Sequence, residues 1–402
     1  MANVGQALTH QMIAREAAKI LLENNNVANH INIERQKEFG EEVNGYKKGD
    51  TVKVAVPPVP VTYSGSSFAG GGSAPAAKES YVDLTVDQQE HVPLTFTAKE
   101  KKLELTEFSK RFLRPAMTSL ASKINAVFLQ AMYEQTPNVV GAWGTTPGSR
   151  AVWRNAASTL DRFLAPEDDR YAHISVDASD ALAETNSSLF HTADEIRGEF
   201  SKNAIGTFAG LEFYKQLSLP VHANGAGAGY LINGASQTGS TLTVDTGSGA
   251  ITKGSIITIA GVNAVHPITG ADLGIPAKFV VTANVTSGAT SIPIYPALIP
   301  NTTSVRGNVT ASPGDNAAIT VFGTASQSKV QDLVFHRDAF AAAFAPLPVL
   351  ASCEGYTASI KGISVRVMTF GDGKSDEEHT RIDVLFAKPT AVRPYHSVRV
   401  TE

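Results

Sequence analysis

The chain has one cysteine, Cys353, in 402 residues. That excludes an intramolecular disulfide and any site built from several cysteines, so packing and hydrogen bonding must hold the fold, and a reducing cytoplasm is the expected place of synthesis. Charge is also scarce, at 18% of residues, below the ~25% of ordinary soluble domains. The 34 Lys and Arg nearly balance the 38 Asp and Glu, for a net charge of -4. No run of five or more basic residues occurs, so the basic stripe of a dedicated nucleic-acid binder is absent. No stretch approaches the ~18 apolar residues of a membrane span, and the opening MANVGQALTHQMIAREAAK has no unbroken apolar core of the secretion-signal kind. The sequence predicts a protein that crosses no membrane by itself. HExxH, GxSxG and GxGxxG arrangements are missing too, which removes the usual zinc, nucleophile-elbow and dinucleotide signals.

Enough apolar surface is present, 43% of residues, to build two or three cores, since single cores stop growing near ~250 residues. Residues 4–24 place Val4, Leu8, Met12, Ile13, Ala17, Ile20 and Leu21 at helical spacing, with Asn3 as cap and Asn24, Asn25 and Asn26 as the stop. Such a helix has no core of its own and must dock elsewhere. From about 31 to 105 the pattern is strand-like, with Thr51–Val56, a Gly/Ser-rich tip at 64–77 (SGSSFAGGGSAPAA), and a return that alternates at Val82, Leu84 and Val86. An excursion this long is too large for an ordinary hairpin and is expected to reach something outside the subunit.

Thr106, as cap, and Glu107, at the positive end of the dipole, open the longest predicted helix. Its stripe runs Phe112, Leu113, Met117, Leu120, Ile124, Val127, Phe128 and Ala131. Pro115 either kinks it or starts its longer second half. Residues 151–220 read as mixed α/β, with a helix near Trp153 to Leu164, a strand at Tyr171 to Val176 and helices to about Lys202. The segment ANGAGAG then forms a candidate hinge at Gly225, Gly227 and Gly229. Between Leu231 and Gly323 only Asp245, Lys253, Asp272, Lys278, Arg306 and Asp315 are charged. Runs such as SIITIAGV and KFVVTANV between Gly and Pro turns indicate an inserted all-β barrel or sandwich. From Ser326 a helix-plus-strand character is expected to return through VQDLVFHRDAFAAAF, followed by strands near 357–369 and 380–386.

Candidate chemistry is thin. Gly371-Asp372-Gly373-Lys374-Ser375 resembles a phosphate loop, but Met368 stands where the leading Gly belongs, so a hairpin turn is the reading. His336 beside Asp338 reads as a structural histidine. Glu167-Asp168-Asp169 after Pro166 reads as a solvated turn. Cys353 lacks an adjacent His and reads as an idle thiol. Lys47, Lys48, Asp50, Lys78, Glu79 and Asp83 of the excursion are either solvated charges or inter-subunit ion pairs, each worth little alone, ~0 to 1 kcal/mol. No catalytic, cofactor-binding or metal residues are assigned.

Four stretches, in order along the chain, carry a family resemblance: LTEFSKRFLRPAMTSLASKINAVFLQAM (105–132), APEDDRYAHISVDASDAL (165–182), GTFAGLEFYKQLSLPVHANG (206–225) and VFHRDAFAAAFAPLP (334–348). They resemble tailed-bacteriophage major capsid proteins of the Hong Kong type fold, in the short-tailed-phage subfamily with an inserted β-barrel. The resemblance implies an α+β fold with an N-terminal helical arm (1–30), an extended hairpin loop with peripheral-domain strands (31–104), and a kinked spine helix with peripheral domain (105–150). It further implies an axial domain split into 151–230 and 324–402, the latter with return strands of the peripheral domain, around an inserted barrel (231–323). The implied function is self-assembly into the hexamers and pentamers of an icosahedral head in the virion. The implied partners are further copies, a scaffolding protein, a portal protein, a possible decoration protein, and double-stranded DNA enclosed without sequence reading. No membrane partner and no cofactor is expected. The alternative class is an adhesin-like tail or decoration protein, suggested by the Thr/Ser/Gly-rich β module.

Overall fold

The computed structural model describes residues 9–33, 42–43, 46–47, 51–56, 66, 80–97, 109–187, 206–302, 307–372 and 377–402. In chain order its helices are α1 (His10–Asn24), α2 (Asn26–Asn29), α3 (Arg114–Tyr133), α4 (Arg150–Arg162) and α5 (Val176–Ser187). Two units divide the chain. One comprises Met1–Val54, Val82–Ala131 and Phe340–Thr390, and the other Ala55–Tyr81, Met132–Ala339 and Ala391–Glu402. No helix among the described residues is long and apolar enough to cross a membrane.

The first unit is an antiparallel sheet with helices packed on it. Its strands run in the order Glu354–Ile360, Ile363–Asp372, Glu377–Ala391, Ser80–Thr97, Thr51–Val56, and Phe340–Ala345 pairs with Glu377–Ala391 as well. Alternation decides the faces. Asp83 and Thr85 are exposed while Leu84 is buried, and Lys53 is exposed while Val54 is buried, the pattern of a sheet wet on one side. Helix α3 buries Met117, Leu120, Ala121, Ile124 and Phe128, and Phe128 meets Phe386 at 5.4 Å and Phe344 at 5.9 Å between ring centroids. A π-helical turn, Ser109–Leu113, precedes α3, and Pro115 is the second residue of α3 itself, a position where its missing N–H costs no hydrogen bond.

Helix α1 starts at Thr9, whose hydroxyl accepts the Met12 N–H, and stops at Asn25. Asn3 and the start expected at residue 4 lie outside the described residues, as do Thr106 and Glu107. The helix docks as a coreless helix must, through buried Ala14, Ala17, Ala18, Ile20 and Leu21. Polar ties to α3 and its lead-in come from the Ser109 hydroxyl to Glu16 at 3.3 Å and from the Asn24 amide to Thr118 at 3.4 Å.

The expected helix-plus-strand around VQDLVFHRDAFAAAF is instead strand, one-turn 3-10 helix, strand: Ser328–His336, Arg337–Ala339, Phe340–Ala345. Alanines favour helix, but every residue of Phe340–Ala345 is buried. Small side chains between two Phe suit a strand covered on both faces, so tertiary packing overrides propensity.

The second unit has a seven-stranded mixed sheet. Its main path is Asn138–Val140, Ser397–Thr401, Ser328–His336, Arg170–Ile174, Leu211–Lys215, Thr207–Phe208, and Val221–Ala223 also pairs with Ser328–His336. The amphipathic helix α4 lays Trp153, Ala156, Ala157 and Leu160 on it, and α5 adds Ala178 and Leu182, against Ile174, Leu211, Val334, Val398 and Val400. Helix α4 is capped by Ser149, whose hydroxyl accepts the Ala151 N–H.

Inserted in this unit is a second, six-stranded sheet in the order Leu231–Ile232, Gly239–Asp245, Ser291–Leu298, Asp272–Val281, Ile256–Val265, Ile319–Val321. Its two edges meet. Leu231 bridges Ala318, the Ile232 N–H donates to Ala317, and the Ile319 N–H donates to Tyr230, so the sheet closes into a barrel and leaves no free edge there. Leu242, Val244, Ile257, Ile259, Phe279, Val281, Ile292, Ile294 and Leu298 fill it. A module with so few charges can bury nearly every inward position without stranding an ion.

Candidate functional site

With no catalytic cluster expected from the sequence, the sites that matter are where the barrel is seated and where strands and loops carry charge. The barrel leaves its base through Val221–Ala223 and returns through Ser328–His336, and these two strands pair, Ser328 opposite Ala223 and Val330 opposite Val221. Asn224 locks the junction. Its N–H donates to Gln327 at 2.8 Å, its carbonyl accepts from Ser326 at 3.1 Å, and its side-chain amide donates to Phe322 at 3.1 Å.

His222 forms the centre of this seat. Its Nδ1 lies 3.1 Å from the Tyr133 hydroxyl and its Nε2 3.2 Å from the Ser255 hydroxyl, so it spans base and barrel. Burial, reinforced by the positive charge of Arg399, pushes its pKa down to about 4. Arg399, 1% exposed, donates through Nε to Thr136 at 3.0 Å and through Nη1 to Gly254 at 2.7 Å, with its guanidinium 4.7 Å from the Tyr133 ring centre. Burial lowers even this group, to about 10. Lys253 pairs with Glu134 at 2.7 Å, and Trp143 stands edge-on to His222 at 6.1 Å.

The glycines of the junction are explained by crowding as well as by conformation. A Cβ on Gly225 would lie 2.1 Å from the Ala250 carbonyl oxygen and one on Gly227 would lie 2.4 Å from Ile251, whereas Gly229 has open space but a φ of +69°. The first two let backbone approach backbone, and the third supplies a left-handed turn.

Of the charges named in the excursion, Asp83 is exposed on the Ser80–Thr97 strand, and Lys47 ends the Tyr46–Lys47 strand. Lys48, Asp50, Lys78 and Glu79 lie outside the described residues. The same unit as Asp83 also holds a buried ionic knot that the reading of the sequence did not single out. Asp383 is fully buried and receives Arg366 at 2.9 Å, Arg381 at 2.6 Å and the Gln89 amide at 3.1 Å. Three neighbouring strands are tied at one point. The cue was present in RVMTF and RIDVLF, where charges interrupt apolar alternation.

Other chemical candidates take structural roles. His336 is buried, its Nδ1 accepts the Asp338 N–H at 3.1 Å, and burial lowers its pKa against the pull of Asp338, Asp168 and Asp169. Glu167, Asp168 and Asp169 form an exposed turn. Asp372 pairs with Glu377 across the Ile363–Asp372 and Glu377–Ala391 strands, and Gly373, Lys374 and Ser375, where a hairpin turn was expected, lie outside the described residues. Asp332 is buried, accepts the Ser175 N–H at 2.8 Å, and burial raises it well above an ordinary carboxyl group. Ser175 also donates to Glu402 and caps α5 through Ala178. No group of three His, Cys, Asp or Glu among the described residues could hold a metal ion.

The chain is thus of α+β class, with a mixed sheet carrying a closed barrel on two paired strands, and a helix-backed sheet of very long strands in the other unit. The chain belongs to the P22 coat protein family, whose model, described as P22 coat protein, gene protein 5, matches residues 47–398. It is accordingly a major capsid protein, a structural protein of the bacteriophage virion. Among solved structures it is similar to one from Mycobacterium phage Che8, at 13% identity over 93% of this chain and 89% of that one, with a TM-score of 0.47. It is also similar to the capsid structure of the cyanophage P-SCSP1u, at 11% identity over 88% of this chain and 83% of that one, with a TM-score of 0.43. The CUS-3 coat protein I-domain is 30% identical, with 26% of this chain covering 98% of it, at a TM-score of 0.18. No curated protein matches the chain in sequence.

Proposed function

We propose that this capsid protein assembles as hexamers and pentamers into an icosahedral head around double-stranded DNA. The observation that carries the reading is the coat-family match across residues 47–398. In this scheme residues 1–30 act as an arm and 31–104 include a loop laid on a neighbour, with Lys47, Lys48, Asp50, Lys78, Glu79 and Asp83 as inter-subunit ion-pair candidates. Residues 105–150 carry the spine helix, with Pro115, just inside the start of α3, as its kink. The axial domain is drawn from 151–230 and 324–402, with 231–323 as the insertion. Weak contacts repeated over many copies give a strong shell.

Synthesis in the host cytoplasm, assembly with a scaffolding protein and a portal, and a decoration protein on the outside complete the proposal. The subunit's work is architectural, and no reaction is assigned to it. The test is negative-stain electron microscopy of the chain made alone and together with its phage's scaffolding protein. Closed shells or angular sheets of capsomers are the expected result. Monomers or trimers alone under both conditions would overturn the reading.

A further inference from the structure

Helix α4 turns its apolar face to the sheet, and its opposite face repeats polar residues at Asn155, Ser158, Thr159 and Arg162, spacings that align on one side of a helix. Exposed apart from half-buried Thr159, this face forms one wall of an open cavity of about 360 Å³, with the barrel strand Asp272–Val281 and Tyr395 on the other side. That volume lies in the ~300–1,000 Å³ range of small-molecule sites.

The cavity is lined by two cations, Lys278 and Arg162, and by no aspartate or glutamate. Lys278 donates one N–H to the Val139 carbonyl at 2.7 Å, which leaves two of its three donors uncommitted. Thr159 spends its hydroxyl proton on the Asn155 carbonyl at 2.7 Å, so the Asn155 amide and the Ser158 hydroxyl are the neutral donors of this wall. Burial, and then the charge of Arg162, make the Lys278 ammonium less willing to keep its proton. A half-buried cation facing a second cation, with donors around both and no carboxylate among the lining residues, is an arrangement completed by an anion.

We propose that this cavity between α4 and the barrel binds a small oxyanion, a phosphate or a carboxylate group, through Lys278 and Arg162. The proposal does not depend on the subunit's role in a shell. Its test is calorimetric titration of the full-length unassembled subunit with sodium phosphate against sodium chloride at equal ionic strength, with thermal unfolding in parallel. Saturable phosphate binding at one site is expected, weakened roughly tenfold by Lys278→Met and less by Arg162→Gln. Arg162 is exposed, so Arg162→Gln remains a test should Lys278→Met fail to fold.

Repeating the titration on assembled particles distinguishes the sources of the group. Retained binding identifies a free anion, and binding lost on assembly identifies a neighbouring subunit's carboxylate in the same place. Either supports the site. A phosphate response no greater than that of chloride, or equal binding by the parent and the folded variants, would overturn it.

Discussion

Acidification should release the barrel from its seat, and His222 sets where. In the folded chain its pKa is pushed from 6.5 to about 4, so the unfolded chain takes up the proton first as pH falls. The contribution is therefore complete above pH 6.5 and lost as pH falls from there through about 4. At roughly 1.4 kcal/mol per unit, the gap is worth roughly 3 kcal/mol. His222→Gln keeps a polar end but does not titrate. At pH 7 it should be less stable than the parent by about 1–2 kcal/mol, for its disturbed hydrogen bonds to Tyr133 and Ser255. By pH 4 that deficit should vanish or reverse. Urea unfolding from pH 7.5 to 4, followed by tryptophan fluorescence, measures it, because Trp143 lies against the His222 ring. Groups common to both proteins, such as Asp332 and His396, cancel in the difference. A gap between the two proteins that stays constant across the range would refute the assignment of this burial cost to His222.

Asp383→Asn should destabilise the first unit by about 3–5 kcal/mol in urea titration, because it leaves buried Arg366 without its counter-charge. Arg381→Ala, whose side chain is 35% exposed, should cost far less, about 1 kcal/mol. Arg399→Lys should cost about 2–3 kcal/mol and speed hydrogen exchange at residues 254–256, since an ammonium cannot reach Thr136 and Gly254 with one planar fork. Gly225→Ala should lower the melting temperature more than Gly229→Ala, because the first meets a carbonyl oxygen and the second only an unfavourable φ.

Much of the architecture could be read from periodicity. The α3 stripe, the amphipathic α1 and α4, the wet-and-dry strand at Val82 to Val86 and the charge-poor barrel all depend on neighbours within a few residues, which is the range over which sequence patterns speak. The seat of the barrel was not readable in this way. Tyr133, His222, Gly254 and Arg399 are far apart in sequence, and nothing in VHANG or SVRVT announces that they converge. The Phe340–Ala345 strand was misjudged because its alanines report propensity and not the double-sided burial that overrules it. Lys278 and Arg399 had a faint signal, a lone cation inside an apolar strand. Their partners are backbone carbonyls, which have no letter of their own in a sequence.

The pairing of Ser328 with Ala223 brings the two ends of the insertion out side by side, so topology would allow the barrel to be exchanged as a cassette for a short turn or for foreign cargo. The electrostatics set a condition on that exchange. Excising the barrel would remove the Gly254 carbonyl from Arg399, the Ser255 hydroxyl from His222 and the lysine that pairs with Glu134. A shortened subunit would therefore need compensating changes at positions 222 and 399. Any graft should be designed from the floor of the socket upward, with the connecting strands as the easier half of the problem.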